Sequence, residues 1–230
     1  MGLIDMELHK AKRAAAERAV SYVKDGMTVG LGTGSTAKYV IEFLGKMVAD
    51  GLKILGVPTS ISTTKLADEL SIPLLYDFEK IDLTIDGADE VDPNGNLIKG
   101  GGGAMTREKI VAAASSKRIM IVDETKLVQK LGAFPLPVEV LPFGWRFSAK
   151  RLAELGCQVN IRMSGGGDVF LTDNHNYILD CRFEKIVEPD ALSREINSIP
   201  GVLENGLFVK RVQLVVVGDE KGGVREIVFE

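Results

Sequence analysis

The chain has 230 residues, 45% of them apolar and 26% charged, which suits a folded globular protein with room for one large domain or one domain plus a small one. A net charge of −4 argues against a nucleic-acid partner, because a phosphate backbone needs a basic face. No stretch approaches the roughly 18 apolar residues of a membrane span, so no membrane partner is expected.

The first 20 residues read as an amphipathic helix, with acids early and no apolar signal-peptide core. From there the chain alternates. Residues 27–31 (MTVGL) form a short β-rich run, and 35–48 place Val40, Ile41, Leu44, Met47 and Val48 at helical spacing. Residues 52–57 read as strand, 63–70 as helix, 83–86 as strand, 107–117 as helix and 118–123 as strand. Such alternation predicts a mostly parallel sheet covered on both faces. After 131–137 the pattern changes: strand at 138–142, helix at 148–155, strand at 157–163, a hairpin around Asp173-Asn174 with a following strand, helix at 188–199 and strand at 206–209. This is a β-α-β-β-α-β unit. Residues 212–218 and 225–230 read as two strands returning to the first sheet. The expected organisation is therefore an α/β catalytic domain, 1–131 and 204–230, interrupted by a smaller α+β domain, 132–203.

Cys157 and Cys181 stand far apart with no CxxC, which points to free thiols in a reducing cytoplasm. His9 and His175 have no histidine at metal-ligand spacing, and neither zinc nor a serine–histidine–acid triad is supported. Chemistry must therefore rest on carboxylates, lysines and backbone, with no metal or cofactor.

Three clusters carry that chemistry. GLGTGSTA (30–37), read as strand–loop–helix, presents the amides of Thr33, Gly34, Ser35 and Thr36 at a helix start, where the macrodipole favours an anion. It lacks the GK[ST] of a P-loop. It matches the dinucleotide fingerprint only in part, and the second strand ends in GVPTS rather than an acid. A monophosphate cradle remains. DGADEVD (86–92) sets Asp86 at the carboxyl end of a strand, with Gly87 and Ala88 leaving Asp86 and Asp89 open to a ligand; an EF-hand calcium pattern fails at Ala88. IKGGGGAMTREKI (98–110) has four consecutive glycines, costly in an ordered chain, between Lys99 and a helix with Glu108 in its first turn. Lys126 follows the strand ending at Asp123. In an open parallel sheet, residues after carboxyl strand ends face one crevice. An anion cradle, two lysines, two aspartates and a glutamate suit proton transfer between adjacent carbons of a sugar phosphate: a carboxylate base, a donor at the carbonyl oxygen and a phosphate anchor.

GLGTGSTA, TIDGADEVD, LIKGGGGAMTREKI and FPLPVEVLP together resemble type A ribose-5-phosphate isomerase over most of the chain. The resemblance implies a Rossmann-like sheet domain with an inserted ferredoxin-like domain. It also implies metal-independent interconversion of ribose 5-phosphate and ribulose 5-phosphate through an enediolate, in the non-oxidative pentose phosphate pathway, and a homodimer or homotetramer. It further implies Glu108 as the base, Asp86 and Asp89 near the sugar hydroxyls and ring oxygen, and Lys99 on the enediolate side. Thr33 to Thr36, Gly87, Ala88, Gly100, Gly101, Gly102 and Lys126 are implied as substrate contacts. A sugar-phosphate sensor of a transcription regulator is the competing class, but it would carry a DNA-binding helix-turn-helix and a basic face. Deamination of an amino-sugar phosphate and acyl transfer to coenzyme A would keep the fold, but lean on a histidine or on a glutamate in another context.

Overall fold

The computed structural model describes residues 3–229. The chain runs through α1 (Leu3–Val20), β1 (Thr28–Leu31), α2 (Ser35–Ala49), β2 (Leu55–Pro58), α3 (Ile61–Glu69), β3 (Ile81–Gly87), β4 (Glu90–Val91), β5 (Leu97–Ile98), α4 (Met105–Ala114) and β6 (Ser115–Asp123). It continues through β7 (Leu136–Val140), α5 (Trp145–Ala153), β8 (Gln158–Ile161), β9 (Tyr177–Arg182), α6 (Pro189–Asn197), β10 (Val202–Asn205), β11 (Leu207–Phe208), β12 (Leu214–Gly218) and β13 (Val224–Val228). Contacts divide it into two compact units, Met1–Ala88 with Arg107–Leu127 and Arg211–Glu230, and Asp89–Thr106 with Val128–Lys210. From the sequence, the smaller domain is expected at 132–203.

The first unit holds a six-stranded sheet in the order β13-β12-β6-β3-β1-β2. Every pair is parallel except β12 with β13. Apart from that edge strand, the order is the doubly wound 2-1-3-4-5, which reverses direction between β1 and β3 and opens a crevice at their carboxyl ends. The helical stripe of α2 buries Ala37, Val40, Ile41 and Leu44, and α1 buries Ala15, Ala16 and Ala19, against Val29, Leu31, Leu83, Ile85, Ile119 and Ile121 of the strands. Each fully buried aliphatic chain of this kind contributes about 1.5–3 kcal/mol relative to exposure. The alanines leave α1 little side-chain bulk on its buried face. The second unit holds a four-stranded antiparallel sheet in the order β10-β7-β9-β8, the ferredoxin-like arrangement of a β-α-β-β-α-β unit, and a small sheet β11-β5-β4. Pro189 opens α6, where its missing N–H costs nothing.

Three local expectations are corrected. Residues 115–117, read as helix, are strand. Ser115 pairs with Ile81 in the parallel ladder, and its side-chain oxygen bonds Thr84 Oγ1 (2.5 Å) and the Val111 carbonyl (2.6 Å), so sheet pairing overrides a helical pattern. The turn at Asp173-Asn174 exists, with His175 at φ 61°, but 169–172 is not a strand. Val169 makes only a bridge to Met163, and β9 pairs with β8 instead, Val159 opposite Cys181. The last strand of the antiparallel sheet is Val202–Asn205 rather than 206–209. At Gly206 the chain changes sheets: its N–H bonds the Pro137 carbonyl (2.8 Å) and its carbonyl accepts from Lys99 (2.9 Å), after which Leu207 and Phe208 pair with β5.

Candidate active site

In the first unit the site elements gather at the carboxyl edge of the sheet. The register sets Leu31 beside Ile85 and Pro58, and Gly87 beside Ile121, so the loops after β1, β2, β3 and β6 leave the same edge. Asp86, the penultimate residue of β3, is 1% exposed rather than open. Its Oδ1 accepts from the Thr33 N–H (3.2 Å) and the Gly87 N–H (2.7 Å), tying the glycine loop to β3. The approach is so close that a β-carbon on Gly32 would collide with the Asp86 carboxylate.

Gly34 caps α2 at φ 113° with no side-chain cap, so the first amides of the helix are left to a ligand or solvent. Lys12 on α1 donates from Nζ to Ser35 Oγ (3.0 Å), adding a cation at that helix start. Thr33 is committed differently. Its Oγ1 bonds Thr59 Oγ1 (2.7 Å), Ser60 Oγ (2.9 Å) and Thr63 Oγ1 (3.1 Å), so it shapes the loop from beneath. Gly34 and Ser35 are exposed and Thr36 is half-buried. The arrangement can hold a phosphate by backbone amides, hydroxyls and one ammonium group.

Glu108 lies in the first turn of α4 and is 5% exposed. Val111, one helical turn further on the same face, packs against Gly30 of β1: a β-carbon there would stand 2.6 Å from Val111 Cγ1. A turn advances about 5 Å, so α4 carries Glu108 close to the strand that feeds the loop. Lys126, half-buried, ends a one-turn 3₁₀ helix (Glu124–Lys126) capped by Asp123, whose Oδ1 accepts from the Thr125 N–H (3.1 Å). β6 and β1 flank β3, which puts the start of that turn about 10 Å from the β1 edge.

The second unit brings Asp89 to the glycine loop. Asp89 Oδ2 accepts from the Gly101 N–H (2.7 Å), and its own N–H bonds the Ile98 carbonyl (2.8 Å). Lys99 is 3% exposed, with Nζ 5.5 Å from the centre of the Phe208 ring. Gly101 and Gly102 are exposed and Gly100 is buried. Gly103 turns the chain into α4 at φ 81°, where a β-carbon would also strike Phe170 at 2.6 Å. Glu90, buried, accepts from the Gly132 N–H (2.7 Å) and Phe134 N–H (2.6 Å) and fixes β4 behind Asp89.

Lys12 escaped the sequence reading. Its signal is a lysine one turn before Ala15 and Ala16 on the buried alanine stripe of α1. The hydroxyls of Thr59, Ser60 and Thr63 also escaped it; the TS of GVPTS carried that signal. Among the described residues no group of three or more His, Cys, Asp or Glu could hold a metal ion, and no helix is long and apolar enough to cross a membrane.

The family model for ribose 5-phosphate isomerase A (phosphoriboisomerase A) matches residues 55–222. A ribose-5-phosphate isomerase A of Parvibaculum lavamentivorans is 51% identical over 225 residues, covering 94% of this chain and 97% of that one. The structure of ribose 5-phosphate isomerase A from Methanocaldococcus jannaschii superposes with a TM-score of 0.90 at 43% identity, over 99% of this chain and 100% of the other. A D-ribose-5-phosphate isomerase in complex with phospho-erythronic acid superposes at 0.92 with 40% identity, over the same shares. With the strand-end loops, the glycine segment and the sheet order all in place, the chain belongs to the ribose 5-phosphate isomerase A family.

Proposed function

We propose that Glu108 is the base of an aldose–ketose isomerisation. The chain is a ribose-5-phosphate isomerase, interconverting ribose 5-phosphate and ribulose 5-phosphate. In the aldose direction the Glu108 carboxylate takes the C2 proton, the electron pair passes toward the C1 carbonyl oxygen, and the enediolate forms. The same carboxylate returns the proton to C1 while the hydroxyl proton passes from the C2 oxygen to the C1 oxygen, leaving the C2 ketone. Lys99 neutralises the enediolate oxygens, and Asp86 and Asp89 bind the sugar hydroxyls and ring oxygen and assist ring opening. The loop Thr33–Thr36 takes the phosphate. Because the Thr33 hydroxyl and amide are already engaged, contact falls on Gly34, Ser35 and Thr36, with Lys12 and Lys126 supplying charge. Gly87, Ala88 and Gly100 to Gly102 offer backbone to the sugar. The reaction needs no metal or cofactor. The enzyme works in the cytoplasm, a reading supported by two buried free thiols, and as a homodimer or homotetramer.

The observation that carries this reading is the carboxyl edge between β1 and β3, where an anion-ready helix start stands against Asp86 and α4 packs on β1 next to Glu108. The test is a coupled assay of purified protein with ribose 5-phosphate in EDTA, beside Glu108→Gln. The wild type should turn over fully in chelator. The variant should lose about 10²–10⁴-fold in kcat, the usual share of a general base, while still binding the sugar phosphate. Wild-type turnover by the variant, or a rate abolished by EDTA, would overturn it.

A further inference from the structure

A residue outside every motif named so far also holds the glycine loop. Arg162, just past β8, donates from one terminal nitrogen to the carbonyls of Gly100 (2.9 Å) and Gly101 (3.1 Å). The rest of its guanidinium fork grips Asp180 of β9, Nε to Oδ2 at 2.9 Å and the other terminal nitrogen to Oδ1 at 2.5 Å. The Phe170 ring lies 5.9 Å from the guanidinium carbon, and the same ring abuts Gly103. The arginine backbone is itself pinned: its N–H bonds the Ile178 carbonyl (2.8 Å) and its carbonyl accepts from Phe170 (2.9 Å). With side chains only 14% and 24% exposed, Arg162 and Asp180 form a shielded, bidentate pair rather than a solvated surface contact.

The far end of the same segment is held as well. Glu139 of β7 is fully buried and accepts from Thr172 Oγ1 (2.8 Å), Asn176 Nδ2 (2.9 Å), Asn174 Nδ2 (3.2 Å) and the Thr106 hydroxyl in the first turn of α4. Gly100 to Thr106 is thus slung between two carboxylate-anchored mounts, both served by the β8–β9 connection. Glycines order themselves poorly, and four in a row need such mounts to hold one geometry.

We propose that Arg162 is a positioning residue for the isomerisation: with Asp180 and Phe170 as its seat, it locks the Gly100–Gly101 carbonyls and so holds Lys99, the residue before them, where the enediolate forms. The proposal rests on the reading of Lys99 given above. A planar fork grips the carboxylate with two parallel N–H bonds and still donates to both carbonyls in one fixed geometry, which the three rotatable donors of an ammonium group on a flexible stem do not reproduce. The phosphate loop belongs to other elements and is untouched, so the loss should fall mainly on the chemical step, with a smaller rise in KM from the sugar contacts of Gly100 to Gly102.

The test compares Arg162→Lys, Arg162→Ala, Asp180→Asn and Lys99→Ala, with thermal midpoints recorded for each. Arg162→Lys and Arg162→Ala should stay folded and lose about 10–100-fold in kcat, the scale of an ångström-sized misplacement, with KM within about threefold. Asp180→Asn should move the same way by less. Amide hydrogen exchange should quicken at Gly101 and Gly103 and stay unchanged in the six-stranded sheet. Millimolar guanidinium should restore part of the kcat of Arg162→Ala. Folded Arg162 variants with wild-type kcat, or with raised KM alone, would refute the positioning role, as would exchange at Gly101 and Gly103 unchanged from wild type. If Lys99→Ala loses kcat while the Arg162 variants do not, the clamp fails alone; if Lys99→Ala retains its rate, the reading of Lys99 fails and the proposal with it.

Discussion

Gly32→Ala tests the junction of β1, β3 and the loop proposed to take the phosphate. Gly32 donates its N–H to the Ile85 carbonyl (3.0 Å), and its backbone lies outside the left-handed region, so alanine can adopt it without strain. The cost is steric. The added methyl would run into the Asp86 carboxylate and stand 2.6 Å from the Asp86 Cα. A side chain could rotate aside, but a strand Cα cannot, so β1 and β3 must part. Overpacking of this kind costs about 1–3 kcal/mol. At about 2–4 °C per kcal/mol for a chain of this size, the thermal midpoint should fall by about 2–12 °C. Parting the strands also breaks the bond from Thr33 N–H to Asp86 that sets the loop, so kcat/KM per folded molecule should fall by about 10-fold or more, the cost of an ångström-scale misplacement. Differential scanning fluorimetry and the coupled isomerase assay read the two effects. Gly165→Ala, an exposed position where a β-carbon meets nothing within 4 Å, is the control and should change stability by less than about 0.5 kcal/mol. A Gly32→Ala protein with the control's midpoint and wild-type kcat/KM would refute the close-approach argument.

If Lys126 has the anchoring role proposed for it, Lys126→Ala should raise KM more than it lowers kcat, because a phosphate is equally charged in the ground and transition states; equal losses in steady-state kinetics would reassign it to the chemical step. Away from the site, the Tyr22 hydroxyl first and Arg18 second hold the Glu226 carboxylate below its usual range, and Glu226 in turn pushes the Tyr22 phenol up. A lowered carboxylate pKa stabilises the fold above the unfolded value, near 4.5, and the gain disappears as pH falls through the folded value. Glu226→Gln should therefore lower the midpoint at pH 7, by no more than about 3 °C for so exposed a contact, and the difference should shrink as pH falls below 4.5. A difference that does not change with pH would rule out ionisation as its source.

Local pattern carried much of this architecture. The apolar stripe of α2, the two-faced burial of 118–123 and the alternation up to Asp123 are properties of neighbouring residues, and they predict a parallel sheet without further help. The glycine and aspartate clusters stand out in the sequence because each follows a short apolar run, and the structure places each at a strand end. Ser115 to Lys117 and Val202 to Asn205 were misread for the opposite reason. Their state depends on pairing with Ile81 and with β7, partners distant in sequence, and a few residues of propensity do not outweigh a ladder.

The order of residues alone determined the family motifs, the alternation and the chemical inventory: carboxylates, lysines and bare amides with almost no histidine. Only the tertiary structure decided how those groups are employed. It withdrew the Thr33 hydroxyl into a cluster with Thr59, Ser60 and Thr63, turned Asp86 inward onto two amides, and brought Lys12 across from α1 to Ser35. It also set Arg162 and Glu139 on the glycine segment from 62 and 33 residues away in the chain. The physical reason is the range of the forces: backbone preference and hydrophobic period act over a few residues, whereas a hydrogen bond forms with whatever the packed sheet brings within 3 Å.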